Sequence, residues 1–238
     1  MNKREWAKID RLSKKIKAIN FLGGKCEDCG ETNVQTLEFH HKDENDKDCS
    51  IFELLDCRWS VIEKEISKCN LLCRNCHNKL HFGEDNVGRW KSNKKIFLEY
   101  KGVNVCEKCG YNECNASLDF HHINQNEKDF MLGDVSLRYS NIEDLTYKIS
   151  NEIDKCVVLC KNCHILEHSD VEFFEKNKDV ILNKSKSTKE VSSKIDRDIV
   201  IKLYENGMKQ IDISKYFNVT KGTISNIIKE LKLKNQLK

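Results

Sequence analysis

Apolar residues recur at helical spacing near the start of the chain. Trp6, Ile9, Leu12, Ile16 and Ile19 lie three or four apart among lysines and arginines, which predicts a basic amphipathic helix over residues 1–22. A shorter stripe at Ile96, Phe97 and Tyr100 predicts a second such helix. Elsewhere the period changes. Thr36 to His41 alternates apolar and polar residues, which predicts a short strand ending at an adjacent pair of histidines. Asn70-Leu71-Leu72 reads as another strand, and Cys73 to His81 as a helix whose i, i+4 geometry puts His77 and His81 on one face. Near the C-terminus, Ile199 and Leu203, then Ile213 and Phe217, then Ile224, Ile227 and Ile228 predict three short helices. They are separated by a break at Asn206-Gly207 and a turn at Asn218-Val219, with Thr220 capping the third.

The middle of the chain repeats itself. One copy holds Cys26 and Cys29, His40 and His41, Lys47-Asp48, and a closing segment from Glu65 to His81. The other holds Cys106 and Cys109, His121 and His122, Lys128-Asp129, and a closing segment from Glu152 to His168. The closing segments are 17 residues each and match at 10 positions. The loop between the histidine pair and the closing segment is longer in the second copy. The polar run from Lys184 to Ser193 reads as a linker. The expected organisation is therefore residues 1–22, 23–88, 89–182, 183–194 and 195–238: a helix, two repeat units, a linker and a small all-α domain.

Composition narrows the class. The 238 residues include 13 cysteines and no proline, with 39% hydrophobic and 33% charged residues, which suits several small modules rather than one large core. The longest apolar run is Cys156 to Cys160, so neither a membrane-spanning helix nor a signal-peptide core is expected. A cytoplasmic protein is the default, and in a reducing compartment so many cysteines argue for metal binding or catalysis over disulfides. The net charge of +3 conceals a segregation. Residues 1–25 hold eight Lys and Arg against two acids, residues 26–183 hold 20 against 30, and residues 184–238 hold 13 against six. Both ends suit a polyanion; the acidic middle does not unless metal ions offset it.

All eight histidines and the eight cysteines of the four Cys-x-x-Cys pairs recur in the duplicated frame. Four thiolates from two Cys-x-x-Cys knuckles suit a tetrahedral structural zinc. This predicts one zinc on Cys26, Cys29, Cys73 and Cys76 and a second on Cys106, Cys109, Cys160 and Cys163. The knuckles are 43 and 50 residues apart, too far for a simple ribbon, so a substantial element lies between them. Four thiolates fill zinc's shell, leaving the histidines for a second metal. Neighbouring strand residues point to opposite sides, so His40 and His41 can take different jobs, one on a metal and one on water or phosphate. Cys69 and Cys156 read as buried small residues; Cys49, Cys57 and Cys114 have no counterpart between copies.

The Cys-x-x-Cys, His-His, Cys-x-x-Cys-His pattern resembles the zinc-knuckle form of the HNH nuclease family over about residues 23–88 and 101–170. The resemblance implies an α+β fold of two zinc-stapled ββα-metal units and metal-dependent hydrolysis of phosphodiesters. It implies that His41 and His122 are the general bases. It also implies that His40 and His77, and likewise His121 and His164, bind a catalytic divalent cation, with Mg²⁺ the expected ion. His81 and His168 match a position that is a further metal ligand in some relatives or a phosphate contact. The family's middle Asn, which orients the loop holding the base, has no clear match. Asn70 becomes Val157, Asn151 aligns with Lys64, and the shared Asn75 and Asn162 lie inside the knuckle.

The C-terminal pattern resembles the helix-turn-helix of resolvases and invertases, whose second helix enters the major groove. By that resemblance Lys221, Thr223, Ser225 and Asn226 face DNA, and Lys229 and Lys232 reach phosphates. The combination resembles homing endonucleases of bacteriophages and bacteria. Double-stranded DNA is then the partner, and two sites in one chain can cut both strands without dimerising. A restriction or defence nuclease is the alternative of the same class. A non-catalytic zinc and helix-turn-helix regulator is the alternative of another, and it has no need of complete histidine sets.

Overall fold

The computed structural model describes residues 2–83, 89–186, 197–217 and 219–236. The fold is α+β, with helices throughout and, among the described residues, two two-stranded sheets. Helix α1 spans Lys3–Phe21 and begins with a capping box in which Asn2 and Glu5 satisfy each other's backbone N–H. Its buried stripe is Ile9, Ser13, Ile16, Ala18 and Ile19. Trp6, expected on that stripe, is exposed, because the core-facing side of the helix begins one turn later.

In the first copy, strand β1 (Leu37–His41) pairs with β2 (Cys69–Cys73). Helices α2 (Ile51–Leu54) and α3 (Trp59–Ile66) lie between them in sequence, and α4 (Arg74–Phe82) follows. Helix α5 (Arg89–Lys101) leads into the second copy, where β3 (Leu118–His122), α6 (Tyr147–Asp154), β4 (Cys156–Cys160) and α7 (Lys161–Glu167) repeat the order. β3 and β4 are antiparallel, with Leu118 opposite Cys160, Phe120 opposite Val158 and His122 opposite Cys156. Helix α8 (Val171–Ser185) takes in the first residues of the expected linker, and 187–196 lie outside the described residues. Helices α9 (Arg197–Glu205), α10 (Gln210–Tyr216) and α11 (Lys221–Gln236) complete the chain.

The chain forms two compact units, Met1–Lys25 with Phe39–Leu71 and Glu172–Lys238, and Cys26–Glu38 with Leu72–Val171. In the first unit, the boundary expected at residue 195 does not separate two cores. Leu203 of α9, Ile213 and Phe217, and Ile224 and Ile228 of α11 share one apolar cluster with Ala18, Leu54, Ile62 and Ile66. Tyr216 Oη lies 3.6 Å from Cys49 Sγ, and Lys64 Nζ donates to the Lys215 carbonyl at 2.9 Å. Among the described residues of the second unit, two clusters stand out. Phe97, Leu132, Tyr139, Ile149 and Ile153 form one; Leu98, Leu118, Val158 and Leu159 pack with Cys106, Cys160 and Cys163 in the other.

Candidate metal centres

Each knuckle is built by local backbone geometry. After Cys29 and Cys109 the chain turns on Gly30 (φ 80°) and Gly110 (φ 76°), in the left-handed region that favours glycine. The amides of these glycines donate back to the Cys26 and Cys106 carbonyls. On the other side, Cys73 and Cys160 are the N-caps of α4 and α7, and their sulfurs accept from the Cys76 and Cys163 amides at 3.5 and 3.4 Å.

The four sulfurs of each expected set converge, all within 4.8 Å of one another. Cys29 and Cys73 stand 3.6 Å apart, and Cys109 and Cys160 3.7 Å. These distances are too long for disulfides, and all the cysteines are free thiols. Tetrahedral bonds of ~2.3 Å place sulfurs roughly 3.8 Å apart, so both groups have the donors and spacing to hold a structural zinc. Burial pushes Cys106 up, but backbone N–H groups of Cys160, Cys109 and Lys108 outweigh it and bring its thiol down to about 7. Burial drives Cys163 strongly the other way, as expected when four thiols crowd together and cannot all ionise without a cation.

Strand alternation sends Asp119 and His121 to one face of β3 and His122 to the other. On the first face, His121, His164 and His168 bring ligand nitrogens within 4.8 Å of one another. Nε2 of His164 and His168 stand 3.2 Å apart, inside the range of roughly 2.9–3.4 Å that two metal–nitrogen bonds of ~2.0–2.1 Å impose. His121 Nδ1 is buried and lacks a hydrogen-bond partner. Burial lowers the His121 pKa, and the neighbouring His164 and His168 lower it further; a neutral imidazole is the form that binds metal. Behind this group, Asp119 accepts from His164 Nδ1 at 3.0 Å, fixing Nε2 as its outward lone pair. Lys161 (2.8 Å) and Lys94 (3.3 Å) pair with the same carboxylate. Burial would raise Asp119, but His164, Lys94 and Lys161 hold it far below the usual carboxylate range.

The first copy repeats the helix-borne half of this arrangement. His77 Nδ1 pairs with Glu38 at 2.8 Å, Arg74 binds the other oxygen at 2.8 Å, and His81 Nε2 stands 3.1 Å from His77 Nε2. His40 lies on β1 two residues beyond Glu38, so alternation gives both the same strand face.

The second histidine of each pair is buried on a glutamate. His122 Nε2 lies 2.8 Å from Glu152 Oε1, and His41 Nε2 lies 2.8 Å from Glu65 Oε1. His121, His122, His164 and His168 nonetheless line one open cleft of about 440 Å³, together with Asp119, Phe120, Gln125, Lys128, Met131, Leu132 and Gly133. Asp48 and Asp129 are loop ties, pairing with Lys68 at 2.7 Å and Lys155 at 2.6 Å. Glu38 and Asp119, and Glu65 and Glu152, are the histidine-paired carboxylates that spacing rules passed over. Their signal was recurrence at matching positions, two before the first histidine and at the start of the closing segment.

Cys69 and Cys156 are buried thiols donating to the Glu65 and Glu152 carbonyls, and burial pushes both up to about 12. In the C-terminal module, Thr220 Oγ1 accepts from the Thr223 amide at 3.2 Å and its hydroxyl lies 2.9 Å from that of Thr223. Thr223 thus belongs partly to the cap of α11. Lys221, Asn226 and Lys229 are exposed and Ser225 is half-buried. Lys232 lies further along α11, outside the residues whose side chains are described. No described helix is long and apolar enough to cross a membrane. No protein-family profile, curated protein or solved structure matches the chain.

Proposed function

We propose that the chain is a metal-dependent endonuclease of the HNH type that hydrolyses double-stranded DNA, with one active site in each copy. The observation that carries this reading is the second-copy cleft, where three imidazoles converge on one point and a fourth, His122, lines the same opening. A structural zinc ribbon has no use for such a set, since its four thiolates are already complete.

In this reading His121, His164 and His168 hold a divalent cation, and His40, His77 and His81 are the equivalent set of the first copy. The ion supplies charge stabilisation for the scissile phosphate and the leaving 3′ oxygen. His122 and His41 each take a proton from the attacking water. Lys128, on the cleft wall, offers an ammonium to a phosphate oxygen. Asp119 and Glu38 hold His164 and His77 in the tautomer that presents Nε2. Magnesium, the ion implied by the family resemblance, suits oxygen donors, whereas three imidazoles suit zinc, nickel or another borderline ion. The basic C-terminal helices engage the duplex, with Lys221, Asn226 and Lys229 outward.

The test is supercoiled plasmid incubated with chain that has been stripped of weakly held metal and reloaded with Zn²⁺, Ni²⁺, Mn²⁺ or Mg²⁺. Nicked or linear product with a transition ion, abolished by chelation, is the expected result. No cleavage with any ion, together with tight duplex binding, would replace this reading with the non-catalytic regulator.

A further inference from the structure

Glu65 and Glu152 are the most deeply buried carboxylates near either histidine pair, 0% and 1% exposed. Glu152 Oε1 takes the His122 ring at 2.8 Å and the backbone amides of Asp129 and Phe130 at 3.0 and 3.3 Å. Its Oε2 takes Lys155 at 2.9 Å. Glu65 Oε1 takes the His41 ring at 2.8 Å and the amides of Asp48 and Cys49 at 3.0 and 3.4 Å, and Oε2 pairs with Lys68 at 3.0 Å. All four partners of one glutamate recur around the other.

Packing does not require this. A buried carboxylate costs several kcal/mol before its partners repay it, and an apolar residue of similar volume would serve the core as well. The surrounding apolar residues differ between the copies, Cys49 standing where Phe130 stands, yet the polar set is retained. A carboxylate only accepts, so the histidine nitrogen facing it carries the proton, and the lone pair is left on Nδ1.

We propose that Glu65 and Glu152 are positioning residues for the base histidines. Each fixes its histidine as the Nε2–H tautomer, aims Nδ1 as the proton acceptor, and pins the loop that follows the strand by two backbone amides. This rests on the nuclease reading for its catalytic consequence; the tautomer it requires can be measured without any cleavage.

The experiment uses full-length zinc-loaded chain, with ¹⁵N-labelled histidine for NMR and a His41→Ala background for kinetics so that only the second copy reports. His122 is expected with Nε2 protonated, Nδ1 unprotonated and a downfield ring N–H proton that disappears in Glu152→Ala. A His122 protonated at Nδ1 overturns the proposal whether or not the chain cleaves DNA. In kinetics, Glu152→Ala should lower kcat by roughly 10²-fold, with KM and zinc content unchanged. Glu152→Gln keeps an oxygen at the Oε1 position and should recover most of that loss. A merely structural glutamate would instead move KM, zinc content and melting temperature together, and Gln would rescue activity only as far as it rescued stability. A folded Glu152→Ala chain with kcat within twofold of its parent also overturns the proposal. Should the unmodified chain cleave nothing, the nuclease reading falls and the NMR result alone decides the positioning claim.

Discussion

The two copies place the same polar groups with different apolar support. In the second copy the helix carrying Glu152 packs on residues of its own neighbourhood: Phe97 from α5, and Leu132 and Tyr139 from the longer loop. Phe97 meets Phe120 and Tyr139 edge-on or tilted at 6.2 and 6.0 Å. In the first copy the loop is shorter, and the helix carrying Glu65 adds to that loop's Ile51 and Leu54 further cover from Ala18 of α1 and from α9 to α11. The C-terminal helices thus stand in for the missing loop residues. Apolar burial is non-directional, so any side chains of the right volume can supply it. Hydrogen bonds to a buried charge are directional, so only the original geometry serves.

The comparison can be broken most forcefully at the sulfurs. In chain stripped of weakly held metal, Cys160→Ser should cut the zinc held on the four-thiolate sites from two ions to one, and with it a folding contribution of about 10 kcal/mol or more. The second-copy core that contains Cys160 should melt while the His41–Glu65 contact persists. Native mass spectrometry and amide exchange read both; two retained zinc ions would contradict the assignment.

Next in size are the substituted cores. Leu203→Ala, in a side chain 1% exposed, should destabilise the first-copy insert by about 2–5 kcal/mol. Its effect should show as faster exchange at the Asp48 and Cys49 amides and not at Asp129 and Phe130. Phe97→Ala, 0% exposed, should do the reverse by about 3–5 kcal/mol. Equal effects on both loops from either variant would mean that the two supports are not separate.

A smaller effect is expected at the joint between α4 and α7. Asn75 and Asn162 each accept the other's backbone amide on the side-chain oxygen, at 3.1 and 3.2 Å. Asn162→Ala leaves the Asn75 amide without that acceptor and should cost about 1–3 kcal/mol in melting experiments. The smallest is a matter of acid. Burial would raise Glu152, but Lys155, His122 and the Phe130 and Asp129 amides bring it from 4.5 down to about 2. A carboxylate depressed on folding contributes stability that is complete above about pH 4.5 and disappears as pH falls toward 2. Glu152→Gln should therefore flatten the difference in stability between pH 5 and pH 3 relative to the parent chain.

Much of this architecture was readable in advance because its rules are local. Cys-x-x-Cys spacing, strand alternation before His41 and His122, and i, i+4 histidines depend only on neighbours in the chain, and the two four-cysteine groups formed as expected. The three C-terminal helices were legible for the same reason, from Leu203, Ile213 and the cap at Thr220. What could not be read were pairings across many residues. Glu65 reaches His41 over 24 positions and Tyr216 meets Cys49 over 167, and no local pattern announces either. The same blindness explains why the C-terminal helices looked like a separate domain: their apolar stripes were visible, but not the first-copy core they cover. The HNH resemblance sought an Asn to hold the base loop. The chain places a glutamate on that loop's amides, visible beforehand only as a residue that both closing segments begin with.

The central claim is that both copies are equivalent metal-dependent active sites. The most direct test is supercoiled plasmid cleavage by His41→Ala, His122→Ala and the double variant under the ion that supports the parent chain. Each single variant should still nick the plasmid and the double variant should leave it intact. A double variant that cuts at the parent rate would contradict the account.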